Sequence, residues 1–167
     1  MQSSQLKHVL IIGILFTSFF GTLAHFFYEW TGENVLAGLF TPVSESIWEH
    51  MKLIFFPMSL YGFLSKKYLK QESPCYCFAY LTGLLAGTLA IPVLFYTYSG
   101  ILGRNCMIID ILIFYLSVIL AFFVVYRTAS QCKQHKSPFL PWLFALLLAA
   151  CFFIFTFFPP QLGIFQG

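Results

Sequence analysis

The chain has 167 residues, of which 59% are hydrophobic, 20% aromatic and only 9% charged, far below the roughly 25% charged residues of soluble domains. That composition excludes an ordinary soluble fold and predicts an integral membrane protein with lipid as its surroundings. The formal charge of +3, scattered between apolar runs with no basic stripe, excludes nucleic acid as a partner.

Apolar runs bounded by charges and turn residues predict a single all-α domain over 1–167, a polytopic bundle of five transmembrane helices at about 7–29, 44–65, 76–98, 108–126 and 139–158. The first run resembles a secretory signal up to Thr22-Leu23-Ala24, but it continues to Trp30 and is long enough to span. Between the first two spans, "NVLAGLF" is too short to cross and is expected in the interface or dipping into the protein. Thr41 is the expected cap of the second helix, with Pro42 at its first position. Pro57 and Pro92 are expected to kink their helices, and Gly83-x-x-x-Gly87 to allow close helix packing. Trp30, Trp48 and Trp142 fall near span ends, as aromatic belts do. Five cysteines without CxxC pairs predict no disulfide scaffold and no zinc ribbon; they read as packing residues, with Cys75-Tyr76-Cys77 the nearest exception.

Lys7, Lys66, Lys67, Lys70, Arg127, Lys133 and Lys136 all map to one side of this topology. Basic connections stay cytoplasmic, so the N-terminus is expected in the cytoplasm and the C-terminus outside the cell membrane. Five of the six acids, Glu29, Glu33, Glu45, Glu49 and Asp110, then map to the outer end, joined by His25 and His50. At about 100° per residue, Ser18, Thr22, His25 and Glu29 share an arc of about 60° on the first helix. Glu45, Glu49 and Lys52 share a similar arc on the second, with Ser46 and His50 farther round. Charges within a span cost roughly 2.5–3.5 kcal/mol each near its centre, so these groups require partners, water or protonation. Lys52 is within reach of Glu45 or Glu49, and Arg104 of Asp110 or Glu29.

Three uses of such a group differ in their chemistry. His25 and Glu29, four residues apart, with Glu49 and His50 make a nitrogen and oxygen set for zinc or another divalent cation, and an open position would activate water in a zinc-dependent hydrolase. Alternatively, His25, Glu29, Glu45, Ser46, Glu49, His50, Lys52 and Asp110 bind or relay a cation or small polar ligand for transport, for which a homo-oligomer would supply what one short chain lacks. The third use is structural, a polar network fixing how the first two helices pack. No serine or cysteine nucleophile stands out, since Ser44 and Ser46 suit a cap better than attack.

"HFFYEW" at 25–30, followed by "GLFTPVSESIWEHMKLIFFP" at 38–57, resembles a family of small bacterial polytopic membrane proteins known as a domain of unknown function. Its signature reads roughly Pro-Val-Asn-Glu-Ser-Val-Trp-Glu-His-Leu-Lys, and Ser44 stands here where asparagine is usual. "FFPPQLGIF" at 157–165 echoes its C-terminal end. The resemblance implies that Pro42, Glu45, Ser46, Trp48, Glu49, His50 and Lys52 belong to the family's motif, and it implies no activity.

Overall fold

The computed structural model describes residues 2–132, 134 and 136–166, with only the backbone of 2–4 and 69–72. Lys133 and the side chain of Lys70, both assigned above to the basic end, lie outside that description. Every described element is helical: α1 (Gln2–Trp30), α2 (Val35–Phe40), α3 (Ile47–Glu72), α4 (Tyr76–Leu102), α5 (Met107–Gln131), α6 (Phe139–Phe157) and a closing 3-10 turn, Gly163–Phe165.

Four of these helices, α1, α4, α5 and α6, are long and apolar enough to cross a membrane. They leave bulky apolar side chains exposed along their outer faces, such as Leu15 and Phe19 on α1, Leu116 and Phe123 on α5 and Leu143 and Leu147 on α6. A water-soluble bundle would carry polar residues there. The fifth expected span corresponds to α3, whose 26 residues give a length of about 39 Å at 1.5 Å per residue. Its opening turns carry Glu49, His50 and Lys52, which leave it less apolar than the other four. It is tolerated because α3 is the central helix, packed against α1, α4, α5 and α6, with Met51, Ile54 and Met58 at most 1% exposed.

Close approach sets the packing. A Cβ on Gly83 would lie 2.6 Å from the carbonyl oxygen of Ala121, and one on Gly87 2.4 Å from the Ala121 Cβ. The GxxxG pattern therefore seats α4 on α5 within the chain. Gly87→Ala is expected to lower stability by roughly 1–3 kcal/mol through overpacking, measurable as earlier unfolding in a detergent titration. On α1, Gly21 sits against the carbonyl oxygen of Leu53, where a Cβ would come within 2.5 Å. That carbonyl lies four residues before Pro57 and so has no helical N–H to accept. Pro57 and Pro92 both lie inside continuous helices.

Two expectations change at the helix ends. The structure joins Cys75 to Cys132, Cα atoms 6.1 Å apart, so these two are not merely packing residues; Cys77, Cys106 and Cys151 are free. Spacing along the chain hid the pair because it links residues 57 apart, across the α3–α4 turn and the end of α5. The second helix also begins later than expected: Thr41 closes α2, and Ser46 caps α3 by accepting from the Glu49 amide at 3.3 Å. Residues 41–46 are non-helical. Ser46-x-x-Glu49 is the spacing of a capping box, which outcompetes Thr41-Pro42 as a start signal.

Candidate functional site

The helix starting at Ile47 changes where its neighbours point. Helical projection from residue 44 puts Glu45 and Glu49 on one arc, but Glu45 lies in the bend before the Ser46 cap and Glu49 in the first turn. They accordingly join different partners. Glu45 turns to the histidines: its Oε1 is 3.8 Å from His25 Nε2 and its Oε2 3.5 Å from His50 Nε2. The two imidazoles face one another at 5.3 Å between ring centres. One ligand atom from each of the three residues falls within a 4.8 Å group, at the end of the bundle where α1 finishes and α3 begins.

Hydrogen bonding defines what this cluster lacks. His50 Nδ1 is 2.8 Å from the Ser46 carbonyl oxygen, which only accepts, so Nδ1 carries the proton. In a neutral ring Nε2 then presents a lone pair to the Glu45 carboxylate, itself an acceptor. Two acceptors face to face call for a donor or cation shared between them: a proton, a metal ion or, at this exposed carboxylate, water. The separations of 3.5 and 3.8 Å exceed the 2.7–2.9 Å of a charge-assisted hydrogen bond. They approach the ~3.3 Å between ligand atoms that tetrahedral zinc bonds of about 2.05 Å imply. The Ser46 carbonyl also serves His50 as the outer partner that metal-binding histidines use to fix their tautomer. His25 has no such support, since its Nδ1 is buried without a partner.

Glu49, expected beside His25 and His50 as a ligand, instead forms a buried ion pair. Its Oε2 accepts from Lys52 Nζ at 2.7 Å and from the Val43 amide at 2.9 Å. Lys52 is fully buried, and its other two hydrogens reach the Gly38 carbonyl at 2.9 Å and the Thr156 hydroxyl, with the Thr41 carbonyl at 3.4 Å sharing one of the three. Thr156 Oγ1 lies 3.2 Å from Glu49 Oε1. One ammonium thus satisfies carbonyls at the negative end of α2 and locks α2, α3 and α6 together. Thr156 escaped the sequence reading, although it is the lone hydroxyl in "CFFIFTFF".

Glu29 is exposed and belongs to neither group. Asp110 accepts from the Tyr98 hydroxyl of α4, which in turn accepts from the Cys106 amide at 3.1 Å. Among the described residues Arg104 forms no ion pair with Asp110 or Glu29. Trp48 departs from the aromatic belt by turning inward onto Phe152 and Phe165, both 4.9 Å between ring centres.

Fold and site together define a helical protein with four apolar helices of membrane-spanning length and a His/Glu cluster at one end. The sequence model of a family of unknown function, DUF6512, matches residues 1–167, and the chain belongs to that family. No curated protein and no solved structure matches it.

Proposed function

We propose that this is a five-span membrane protein whose extracytoplasmic end binds a divalent transition-metal cation, zinc in the first instance, through His25, Glu45 and His50. The observation that carries this is the pair of acceptors, His50 Nε2 and Glu45 Oε2, held 3.5 Å apart with the His50 proton committed to Ser46. Two imidazoles and one carboxylate suit zinc and its neighbours rather than calcium or magnesium, which favour oxygen ligands. Three protein ligands leave a fourth position, and Glu45, with 75% of its side chain exposed, leaves that position open to solvent. Such a site activates water for hydrolysis, a second reading favoured by this openness.

The fifth span is α3, and its charged turns avoid lipid because other helices surround it. Basic residues support the orientation: Lys7, Lys66, Lys67, Arg127 and Lys136 gather at the end opposite the histidines, and the positive-inside rule makes that end cytoplasmic. The Cys75–Cys132 pair also lies there, where cytosolic reductants would open it. A membrane-impermeant maleimide applied to intact cells should therefore leave both thiols unlabelled until the membrane is permeabilised under anaerobic conditions. Labelling of both thiols from outside once a membrane-impermeant phosphine reductant is added reverses the orientation.

Elemental analysis of purified protein tests the site. One zinc or similar metal per chain, lost in both His25→Ala and His50→Ala, is the expected result. No bound metal after zinc loading and gel filtration, in protein that melts normally, refutes it.

A further inference from the structure

Three cysteines gather at the basic end of the bundle, and two of them are joined. Cys75 caps the start of α4 and Cys132 the end of α5, with 57 residues of chain between them. Their surroundings differ. Cys75 is 1% exposed, Cys132 is only half-buried, and Cys77, two residues along, is exposed and free.

The backbone holds this pair together without help from the sulfur bond. Ser73 Oγ donates to the Ala129 carbonyl at 3.1 Å and accepts from the Cys75 amide at 3.3 Å, which ties the turn before α4 to the last turn of α5. Deeper in the bundle, Gly83 and Gly87 seat the same two helices on one another. Opening the bond therefore leaves the sulfurs as neighbours, and closing it again needs no further loop-closure entropy. The reduced state also has an acceptor of its own. The Gln134 carbonyl oxygen is 2.7 Å from Cys75 Sγ and 2.9 Å from Cys132 Sγ, so either thiol can donate to it, whereas a disulfide sulfur has no hydrogen to give. One backbone accommodates both states.

Location gives such a pair a use. In a reducing cytosol, cysteine pairs that do join are usually transient, catalytic or redox-sensing rather than structural. Lys66, Lys67, Arg127 and Lys136 lie at this end, which the orientation proposed above places in the cytosol. A bond with one sulfur within reach of solvent is of the labile kind.

We propose that Cys132 and Cys75 form a thiol–disulfide exchange site for a low-molecular-weight disulfide, with Cys132 the entry sulfur and Cys75 the resolving one. The Cys132 thiolate attacks one sulfur of the small disulfide, forms a mixed disulfide and releases the first small thiolate. The Cys75 thiolate then attacks the Cys132 sulfur, forms the Cys75–Cys132 bond and releases the second. Two electrons pass from the protein to the small disulfide, and the two protons lost by the cysteines end on the two small thiols. Reduction runs the same steps backwards and again begins at Cys132, because Cys75 is covered. The cytosolic setting rests on the proposed orientation; the exchange chemistry does not, and neither depends on the cation site.

Cys77→Ser, Cys106→Ser and Cys151→Ser in one chain leave this pair as its only cysteines. That protein, in nanodiscs, is equilibrated without oxygen in mixtures of glutathione and glutathione disulfide, quenched with acid, alkylated and weighed by mass spectrometry. Dithiol and disulfide interconvert from either starting state, and each tenfold rise in [GSH]²/[GSSG] raises the dithiol-to-disulfide ratio tenfold. Adding Cys75→Ser traps the glutathione mixed disulfide on Cys132. Adding Cys132→Ser instead leaves Cys75, whose modification is expected to be at least about tenfold slower because its thiol is buried. A bond that survives excess glutathione in the folded protein, a pair that stays reduced in excess glutathione disulfide, or equal rates at the two single cysteines overturns the proposal. The equilibrium titration requires neither single-cysteine variant to fold, and it reads the same whichever way the protein faces.

Discussion

Lys52→Met should lower the unfolding free energy by about 3–5 kcal/mol, because it strands the Glu49 carboxylate without its counter-charge. Lys52 is wholly buried and the Glu49 side chain 4% exposed, so water cannot take over the lost interaction. The cost falls on more than the pair. Carbonyls of Gly38 and Thr41 lose their ammonium donor, and α2 loses its tie to α6 through Thr156. Glu49→Leu added to Lys52→Met should recover most of the loss, since removing both charges removes the desolvation penalty that either one alone incurs. Thermal unfolding in mild detergent, read by near-UV circular dichroism across the double-mutant cycle, gives the coupling. Additive effects of the two substitutions would show that the charges act independently and that the buried pair does not hold α2, α3 and α6 together.

The parts of this fold that could be read from sequence are those where one physical effect dominates. The cores of α1, α4, α5 and α6 are apolar runs of bilayer length, and nothing competes with hydrophobicity in setting them. The Thr41-Pro42 start precedes the observed Ile47 by five residues because Thr41-Pro42 and Ser46-x-x-Glu49 are both valid start signals, and local chemistry alone does not rank them. Tertiary contacts do: Lys52 takes the carbonyls of Gly38 and Thr41 at the end of α2, and the chain from 41 to 46 stays non-helical. That shift decided the site. It separated Glu45 from Glu49, sending one carboxylate to the histidines and the other to the lysine. His25, Glu45 and His50 were among the polar residues gathered at one end by topology, but their grouping depended on a backbone path that helical projection cannot supply. Trp48 was read as a belt residue because a terminal tryptophan usually meets the interface. Here "FFPPQLGIF" folds back and covers it with Phe165, a contact between segments more than a hundred residues apart.

The same separation makes the cation site distinguishable from the network beneath it. Glu45→Gln keeps the shape of the side chain but removes the anionic ligand, and His50→Ala removes a ligand whose tautomer is already set. A structural zinc bound by four ligands gains roughly 10–16 kcal/mol in all, so loss of one ligand should weaken binding on the order of a hundredfold or more. Glu29→Gln should leave affinity unchanged, because Glu29 is exposed and takes part in no ion pair of the described residues. Glu49→Gln should do the opposite of Glu45→Gln, lowering the melting temperature by leaving Lys52 buried without its anion while affecting zinc affinity little. Competition against a fluorescent zinc chelator, beside a melting curve for each variant, separates the two columns of effects. If Glu49→Gln abolishes metal binding in a protein that still melts cooperatively, while Glu45→Gln does not, the ligand is Glu49 after all and residues 41–46 must rearrange when the ion enters. If all four variants lower the melting temperature and none changes zinc uptake, His25 and His50 serve the packing of α1 on α3, and Glu45 is their proton-sharing partner.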